Sequence, residues 1–155
     1  MLHLFYSCGL RRSEGEALNI RDIHFRDQLL YVREGKGARR RVVPLTDRVA
    51  ADMEAYYLQE RCSSTVKKTA DEEAFMLNQR GGRLQGDGYI KILNRLKDKA
   101  GIDKEITLHH LRHSIATHLL QGGMSMEYVR DFLGHQHLES TQVYAKLSAG
   151  QLKGL

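Results

Sequence analysis

The chain of 155 residues has few of the features that divide a polypeptide or send it to a membrane. It contains one proline, Pro44, and shows no internal repeat, low-complexity tract or Pro/Gly-rich linker. No apolar run approaches the roughly 20 residues of a membrane span. Positive charge follows the apolar first residues instead of preceding them, which is the reverse of a secretory signal. We therefore expect one domain, located in the cytoplasm.

Cysteine is also scarce. Cys8 and Cys62 are the two thiols, and neither lies in a CxxC pair. This usage is typical of a reducing compartment and predicts no structural disulfide. The fold must then rest on its core, and a chain of this length can bury about two-thirds of its unfolded surface.

The charge balance is moderately positive. Lys and Arg number 24 against 19 Asp and Glu, for a net charge of +5, and such an excess favours a polyanionic partner only weakly. The distribution is more informative, because six basic residues lie close together: Arg33, Lys36, Arg39, Arg40, Arg41 and Arg48. Taken alone, this cluster fits a solvated hairpin as well as a phosphate-binding one.

The pattern of apolar and turn residues predicts a mainly α-helical domain with a small three-stranded antiparallel sheet. Strands over 28–33 and 41–45 flank a Gly-Lys-Gly turn, which predicts a hairpin with a basic loop. Residues 19–25 supply the short third strand, and residues 74–77 form a short strand or a turn. Helices are predicted over 13–19, 46–61 and 87–100, and from 107 onward with breaks at 122–123 and 134.

Capping residues and helical spacing add two expectations. Ser13 caps the first predicted helix, with Glu16 three residues on as in a capping box. In the helix that begins after Thr107, four residues share one face within about 80° and are predicted to be core: Leu108, Leu111, Ile115 and Leu119. His109, Arg112 and His113 lie on the adjoining face, at the boundary between core and solvent.

The segment 108–144 contains the groups that a tyrosine needs to attack a phosphodiester. His109 and Arg112 are three residues apart, His135 follows Leu-Gly, and Tyr144 comes nine residues later. Near the start, Arg11 could supply a second phosphate-binding arginine. A metallohydrolase is an alternative interpretation of the histidines, and it would require a bound metal and a suitably placed further ligand.

Three separated blocks resemble the catalytic domain of the tyrosine recombinases of the phage integrase family. They are Gly-Leu-Arg-Arg-Ser-Glu at 9–14, the hairpin from Gly-Lys-Gly to Val-Pro-Leu at 35–45, and the segment 109–144. The resemblance implies the fold of DNA breaking-rejoining enzymes. Family members carry an upstream helical domain that clamps DNA; we find no counterpart, and expect residues 1–155 to be a single catalytic domain with a truncated first helix.

The resemblance also implies a role for each matching residue. It implies that Arg11 and Arg112 clamp the phosphate and that Lys36, on the hairpin loop, reaches the leaving oxygen. It implies further that His109 and His135 serve proton transfer and phosphate contacts, and that Tyr144 is the nucleophile. Glu14 and His113 are expected to contact these residues and hold them in position, without contacting the phosphate themselves. The remaining basic residues are expected to contact the DNA backbone or to form a solvated face: Arg12, Arg39, Arg40 and Arg41.

The chemistry explains why these residue types belong together. Attack on a phosphodiester builds negative charge on the nonbridging oxygens, and preorganised donors that meet this charge give the largest acceleration. The planar fork of arginine matches two phosphate oxygens. Because arginines neutralise the charge, the implied reaction needs no metal or other cofactor. The resemblance also implies the covalent 3′-phosphotyrosine that the family forms, which keeps the bond energy, so rejoining would need no ATP.

The resemblance implies double-stranded DNA as the partner and no membrane. A tetramer on DNA is expected only with the full-length protein. Two alternatives remain: a catalytically silent DNA-binding remnant or regulator of the same fold, and a type IB topoisomerase, which shares the chemistry.

Overall fold

The computed structural model describes residues 1–34, 39–61 and 73–134. In these ranges the chain forms six α-helices and one three-stranded antiparallel sheet, which confirms the predicted fold class. The helices are α1 (Leu2–Phe5), α2 (Arg12–Ala17), α3 (Asp47–Ala55), α4 (Gly86–Lys99), α5 (Leu108–Gln121) and α6 (Met126–Leu133). The strands are β1 (Ile23–His24), β2 (Leu29–Glu34) and β3 (Arg39–Pro44). A π-helix, Tyr56–Arg61, continues α3.

The sheet has the order β1-β2-β3, with both pairs antiparallel. Leu30 lies opposite Ile23 on one side and Val43 on the other, and all three side chains are buried. Side chains alternate between the two faces of a strand, so residue 41 of β3 points to the same face as Val43. The paired strands of the predicted hairpin are confirmed. The third strand, predicted over 19–25, is confirmed only at β1, because Ile20–Asp22 form a 3₁₀-helix. The loop at 35–38 lies outside the described residues.

The prediction that Ser13 caps the helix over 13–19, with Glu16 as its capping-box partner, is wrong. The N-cap of α2 is Arg11, and Ser13 lies inside the helix. The Arg11 backbone N–H donates to the Glu14 carboxylate over 2.6 Å, whereas Glu16 accepts from the Arg12 guanidinium over 3.0 Å. Glu14, and not Glu16, is the capping-box residue that accepts from the N-cap N–H, because its carboxylate is buried and therefore needs donors.

The starts of α3 and α5 agree with the sequence. The Thr46 hydroxyl accepts from the Val49 N–H at the start of α3, and the Thr107 hydroxyl accepts from the His110 N–H at the start of α5. The predicted core face of α5 is confirmed for Leu108, Ile115 and Leu119, which are buried, while Leu111 is partly buried. Residues 74–77 form isolated bridges, Asn19 with Ala74 and Leu77 with Arg83, and do not join the sheet.

Helix α2 is held in place by contacts along its length. The Phe5 ring lies against Gly15, where an added Cβ would approach it to 2.8 Å. The buried Tyr89 hydroxyl donates to the Gly15 carbonyl over 3.0 Å, and Arg83 donates to the Leu18 carbonyl over 3.2 Å, just past the helix end. These contacts fix the orientation of the first turn of α2. In the described part of the chain, no helix is long and apolar enough to cross a membrane.

Replacing Tyr89 with Phe tests this anchoring. The change keeps the edge-to-face ring contact with Phe5, whose centroid lies 5.0 Å away, but leaves the Gly15 carbonyl without its donor. We expect the free energy of unfolding to fall by about 1–2 kcal/mol, measured by urea denaturation. Tyr128→Phe on the exposed face of α6 is the matched control and should change it by less than about 0.5 kcal/mol. Equal effects from the two substitutions would contradict the anchoring role.

Candidate functional site

Three arginines from distant parts of the chain surround one buried carboxylate. The Glu14 side chain is 5% exposed and forms a two-point pair with Arg41, with Nη1 to Oε1 at 2.6 Å and Nη2 to Oε2 at 2.9 Å. Arg11 Nη1 lies 3.1 Å from Oε1, and Arg112 Nη1 lies 3.8 Å from Oε2. We call these four side chains the arginine cluster.

Local structure explains how each member reaches the cluster. Arg11 is the N-cap of α2 and Glu14 stands in its first turn, so the two are neighbours on one turn. Arg41 points inward because it shares a face of β3 with the buried Val43. Arg112 lies one turn before the buried Ile115 on α5 and is itself buried.

The cluster is also tied to the end of α6. Three successive carbonyls each accept a hydrogen bond from a different arginine: Phe132 from Arg41 Nε at 3.0 Å, Leu133 from Arg112 Nη2 at 2.6 Å, and Gly134 from Arg11 Nη2 at 3.0 Å. Carbonyls at a helix C-terminus have no partner within the helix and carry partial negative charge, which favours cations there. The three guanidinium groups are thereby anchored beside the residue that immediately precedes His135.

Gly9 completes the backbone around the arginines. Its carbonyl accepts hydrogen bonds from Arg112 Nη1 and, over 3.5 Å, from Arg41 Nη2. Its φ is +58°, and a Cβ would lie 2.9 Å from Leu133 Cδ2 and 3.2 Å from the Phe132 ring. Both the left-handed backbone and the close approach of α6 therefore require glycine.

The cluster carries more positive than negative charge. Burial alone would raise the pKa of Glu14, but the hydrogen bonds and charge of Arg41 and of Arg11 outweigh it and hold the pKa below its ordinary value. Burial, with the charges of Arg41 and Arg11, lowers the pKa of Arg112 to about 10, so it stays protonated at neutral pH. Three cations and one carboxylate leave a net charge of +2. Such a site can bind an anion.

Apart from Arg41, the predicted site residues separate into three groups. Arg11, Glu14 and Arg112 meet in the cluster. His109 and His113 lie on α5 with exposed side chains, and Arg12 is exposed and paired with Glu16 over 3.0 Å. The remaining predicted residues lie outside the described residues or, in β3, have undescribed side chains: Lys36, His135 and Tyr144, and Arg39 and Arg40.

The placement of Arg41 differs from the expectation for the basic hairpin. A solvated face is wrong for this residue, because its side chain is 9% exposed and pairs with Glu14. The sequence analysis did not predict that Arg41 belongs to the cluster. Alternation along β3 does predict that its side chain points to the same face as the apolar Val43.

The metal-site alternative receives no support from the part of the chain that the structure describes. Within residues 1–34, 39–61 and 73–134, no group of three or more His, Cys, Asp or Glu side chains is arranged to hold a metal ion. That interpretation rests on His109, His113 and His135, and His135 lies outside these ranges.

Comparison with known proteins gives a consistent result. The model of the phage integrase family matches residues 1–151. Tyrosine recombinase XerD of Oceanobacillus iheyensis is 43% identical over 155 residues, covering 100% of this chain and 52% of its own length. Tyrosine recombinase XerC of the same organism is 36% identical over 153 residues, covering 99% and 50%. The chain thus spans about half the length of the curated relatives it matches.

Solved structures show the same similarity. The XerA recombinase superposes with a TM-score of 0.76 at 30% identity, over 98% of this chain and 53% of that one. The XerH site-specific recombinase, bound to its difH substrate in a pre-cleavage complex, gives 0.71 at 27% identity, over 97% and 43%.

Replacing Gly9 with Ala tests the backbone of the site. We expect this variant to lose about 3 kcal/mol of unfolding free energy, since it combines a left-handed backbone with a clash against α6. Gly101→Ala is the matched control, because its φ is +65° with nothing within 4 Å of an added Cβ, and it should lose only about 1 kcal/mol. Chemical denaturation of both variants gives the comparison, and equal losses would mean that the close approach is unimportant.

The low pKa of Glu14 predicts a pH dependence of stability. A carboxyl group with a lowered folded-state pKa stabilises the fold above its unfolded pKa, near 4.5, and loses that contribution as pH falls through the folded value. Glu14→Gln removes the buried anion and should cost about 3–5 kcal/mol at pH 7. Urea denaturation from pH 7 to pH 3 should show the difference between the wild type and Glu14→Gln shrinking below pH 4.5. A constant difference would show that Glu14 is not the titrating group.

Proposed function

The chain belongs to the phage integrase family, and from this premise we propose that it breaks and rejoins double-stranded DNA at a specific site. The reaction is a transesterification through a covalent 3′-phosphotyrosyl intermediate on Tyr144. The observation that carries the proposal is the meeting of Arg11 and Arg112 on one carboxylate within a cluster of net positive charge. A scissile phosphate is an anion of the size and shape that two guanidinium groups bind.

The two arginines act as the phosphate clamp. They are anchored by the α6 carbonyls at 133 and 134 before any substrate arrives, so little reorganisation accompanies binding. Fixed donors of this kind favour the transition state, where the nonbridging oxygens gain negative charge. His109, one turn before Arg112 on α5, has an exposed side chain, as a contact with DNA requires.

The proposed reaction proceeds in two transesterification steps. The Tyr144 oxygen forms a bond to phosphorus as the bond to the 5′-oxygen breaks, and the leaving oxygen takes a proton from Lys36. The phenolic proton passes to His109 or His135, because a hydroxyl with an ordinary pKa of about 10 needs a base or a strong positive field at neutral pH. In the second step a 5′-hydroxyl attacks the phosphotyrosine and gives its proton to Lys36, and Tyr144 leaves and takes a proton back from the histidine.

The relatives support DNA as the substrate. XerH was solved with its difH DNA, and the curated relatives are tyrosine recombinases. For this chain we propose duplex DNA in the cytoplasm as the substrate, a tetramer on DNA formed by the full-length protein, and no requirement for a metal or other cofactor. Contacts to the DNA backbone from Arg12, Arg39 and Arg40 belong to the same proposal.

Covalent capture of DNA tests the function. The complete gene product is incubated with sheared genomic DNA of its own organism, the mixture is denatured, and protein-linked DNA is recovered and sequenced. A duplex carrying the recovered site and a nick beside it then traps the adduct, because the short released strand diffuses away. We expect the wild type to form the adduct in EDTA, and Tyr144→Phe to form none.

Tyr128→Phe, which removes an exposed phenol from α6, is the matched control and should form the adduct at the wild-type rate. DNA binding without any adduct would replace the enzyme by a silent DNA-binding protein of the same fold. Adduct formation that requires a divalent metal would contradict the arginine-based mechanism. Relaxation of supercoiled DNA without strand exchange would instead indicate a topoisomerase.

A further inference from the structure

Arg41 dominates the surroundings of the Glu14 carboxylate. Its two Nη atoms face the two carboxylate oxygens at 2.6 and 2.9 Å. Arg11 reaches one oxygen at 3.1 Å, and Arg112 remains 3.8 Å away. Parallel two-point pairing is the strongest geometry between a guanidinium and a carboxylate, so Arg41 is the principal counterion of Glu14.

The donors of Arg41 are directed into the protein. Besides the two bonds to Glu14, its Nε donates to the Phe132 carbonyl at 3.0 Å and Nη2 approaches the Gly9 carbonyl at 3.5 Å. A Cβ on Gly134 would lie 3.0 Å from Nη1, so the backbone also closes on that side. These bonds occupy Nε and both Nη atoms of a guanidinium that has five N–H groups, so Arg41 is poorly placed to contact a DNA phosphate.

Arg11 and Arg112 differ from Arg41 in how closely they hold the Glu14 carboxylate, although the Arg112 side chain is as buried as that of Arg41, at 8% exposed. Arg11 is 36% exposed, and the shortest contact of Arg112 with the carboxylate exceeds hydrogen-bond length. A carboxylate without Arg41 would draw both toward itself, because an unpaired buried charge is costly. The positive charge of Arg11 and Arg112 would then be neutralised by Glu14 and would bind the phosphate less strongly.

We propose that Arg41 is a positioning residue that neutralises and orients Glu14, and so leaves the charges of Arg11 and Arg112 for the scissile phosphate. The inference rests on the proposed function for the identity of that phosphate. Arg41 acts through Glu14 and does not touch the DNA. It also links the hairpin strand β3 to the end of α6 through the Phe132 carbonyl.

The test is a double-mutant cycle on the complete gene product. The rate of adduct formation is measured at saturating nicked duplex for the wild type, Arg41→Met, Glu14→Gln and the double variant. We expect Arg41→Met to slow cleavage by about 10²-fold, comparable with losing one charge-stabilising donor. Adding Glu14→Gln removes the carboxylate that draws in the clamp, and should restore the rate to within about tenfold of the wild type.

Two further variants separate charge from geometry. Arg41→Lys keeps the positive charge but lacks the fork, and should lie between the wild type and Arg41→Met. Arg21→Met removes an equal charge from an exposed residue paired with Glu73 over 3.8 Å, and should cleave within about twofold of the wild type. Near-ultraviolet circular dichroism confirms the folded state of each variant; if Arg41→Met does not fold, the comparison of Glu14→Gln with the double variant decides.

A slow double variant that Glu14→Gln fails to rescue would overturn the proposal, since a direct DNA contact or a purely structural role of Arg41 predicts that result. Binding of inorganic phosphate, followed by NMR of the arginine Nε–H resonances, tests the same idea without Tyr144. Arg41→Met should weaken phosphate binding about tenfold and the double variant should restore it. If the wild type forms no adduct but shows this pattern, the proposed function fails and the role of Arg41 stands; unchanged phosphate binding would overturn it.

Discussion

The structure around the candidate site depends on one buried carboxylate between three guanidinium groups. An ionised side chain that is removed from water must be paired and hydrogen-bonded, or it destabilises the fold. Glu14 meets this requirement through Arg11, Arg41 and Arg112, which come from the start of α2, from β3 and from α5. A single charge therefore fixes the relative positions of three elements that are far apart in the sequence.

The same arrangement prepares the site for an anion. One carboxylate cannot neutralise three cations; burial, together with the charges of Arg41 and Arg11, lowers the pKa of Arg112. The end of α6 supplies partial negative charge from three carbonyls, which holds the arginines without cancelling them. Positive charge is thus held in fixed positions before an anion binds, and the proposed phosphoryl transfer requires this preorganisation.

Local sequence signals predicted most of the fold because the forces concerned act over a few residues. The hydroxyls of Thr46 and Thr107 cap the helices that follow them, and the apolar spacing of α5 identified its core face. The start of α2 was predicted incorrectly for the opposite reason. Ser13 is a better cap in isolation, but burial of Glu14 against distant arginines sets the helix start at Arg12.

The candidate site, like the fold, was predicted from the sequence in some parts and decided by tertiary contacts in others. The sequence by itself determined which residue types are present and, through the resemblance of its motifs, that Arg11, Glu14 and Arg112 belong to one site. Only the tertiary structure decided that Arg41 joins them, because its role depends on which face of β3 packs against α2 and α6. Spacing along the chain reports contacts within a helix or strand, whereas the pairing of a buried charge is settled by elements that meet only after folding.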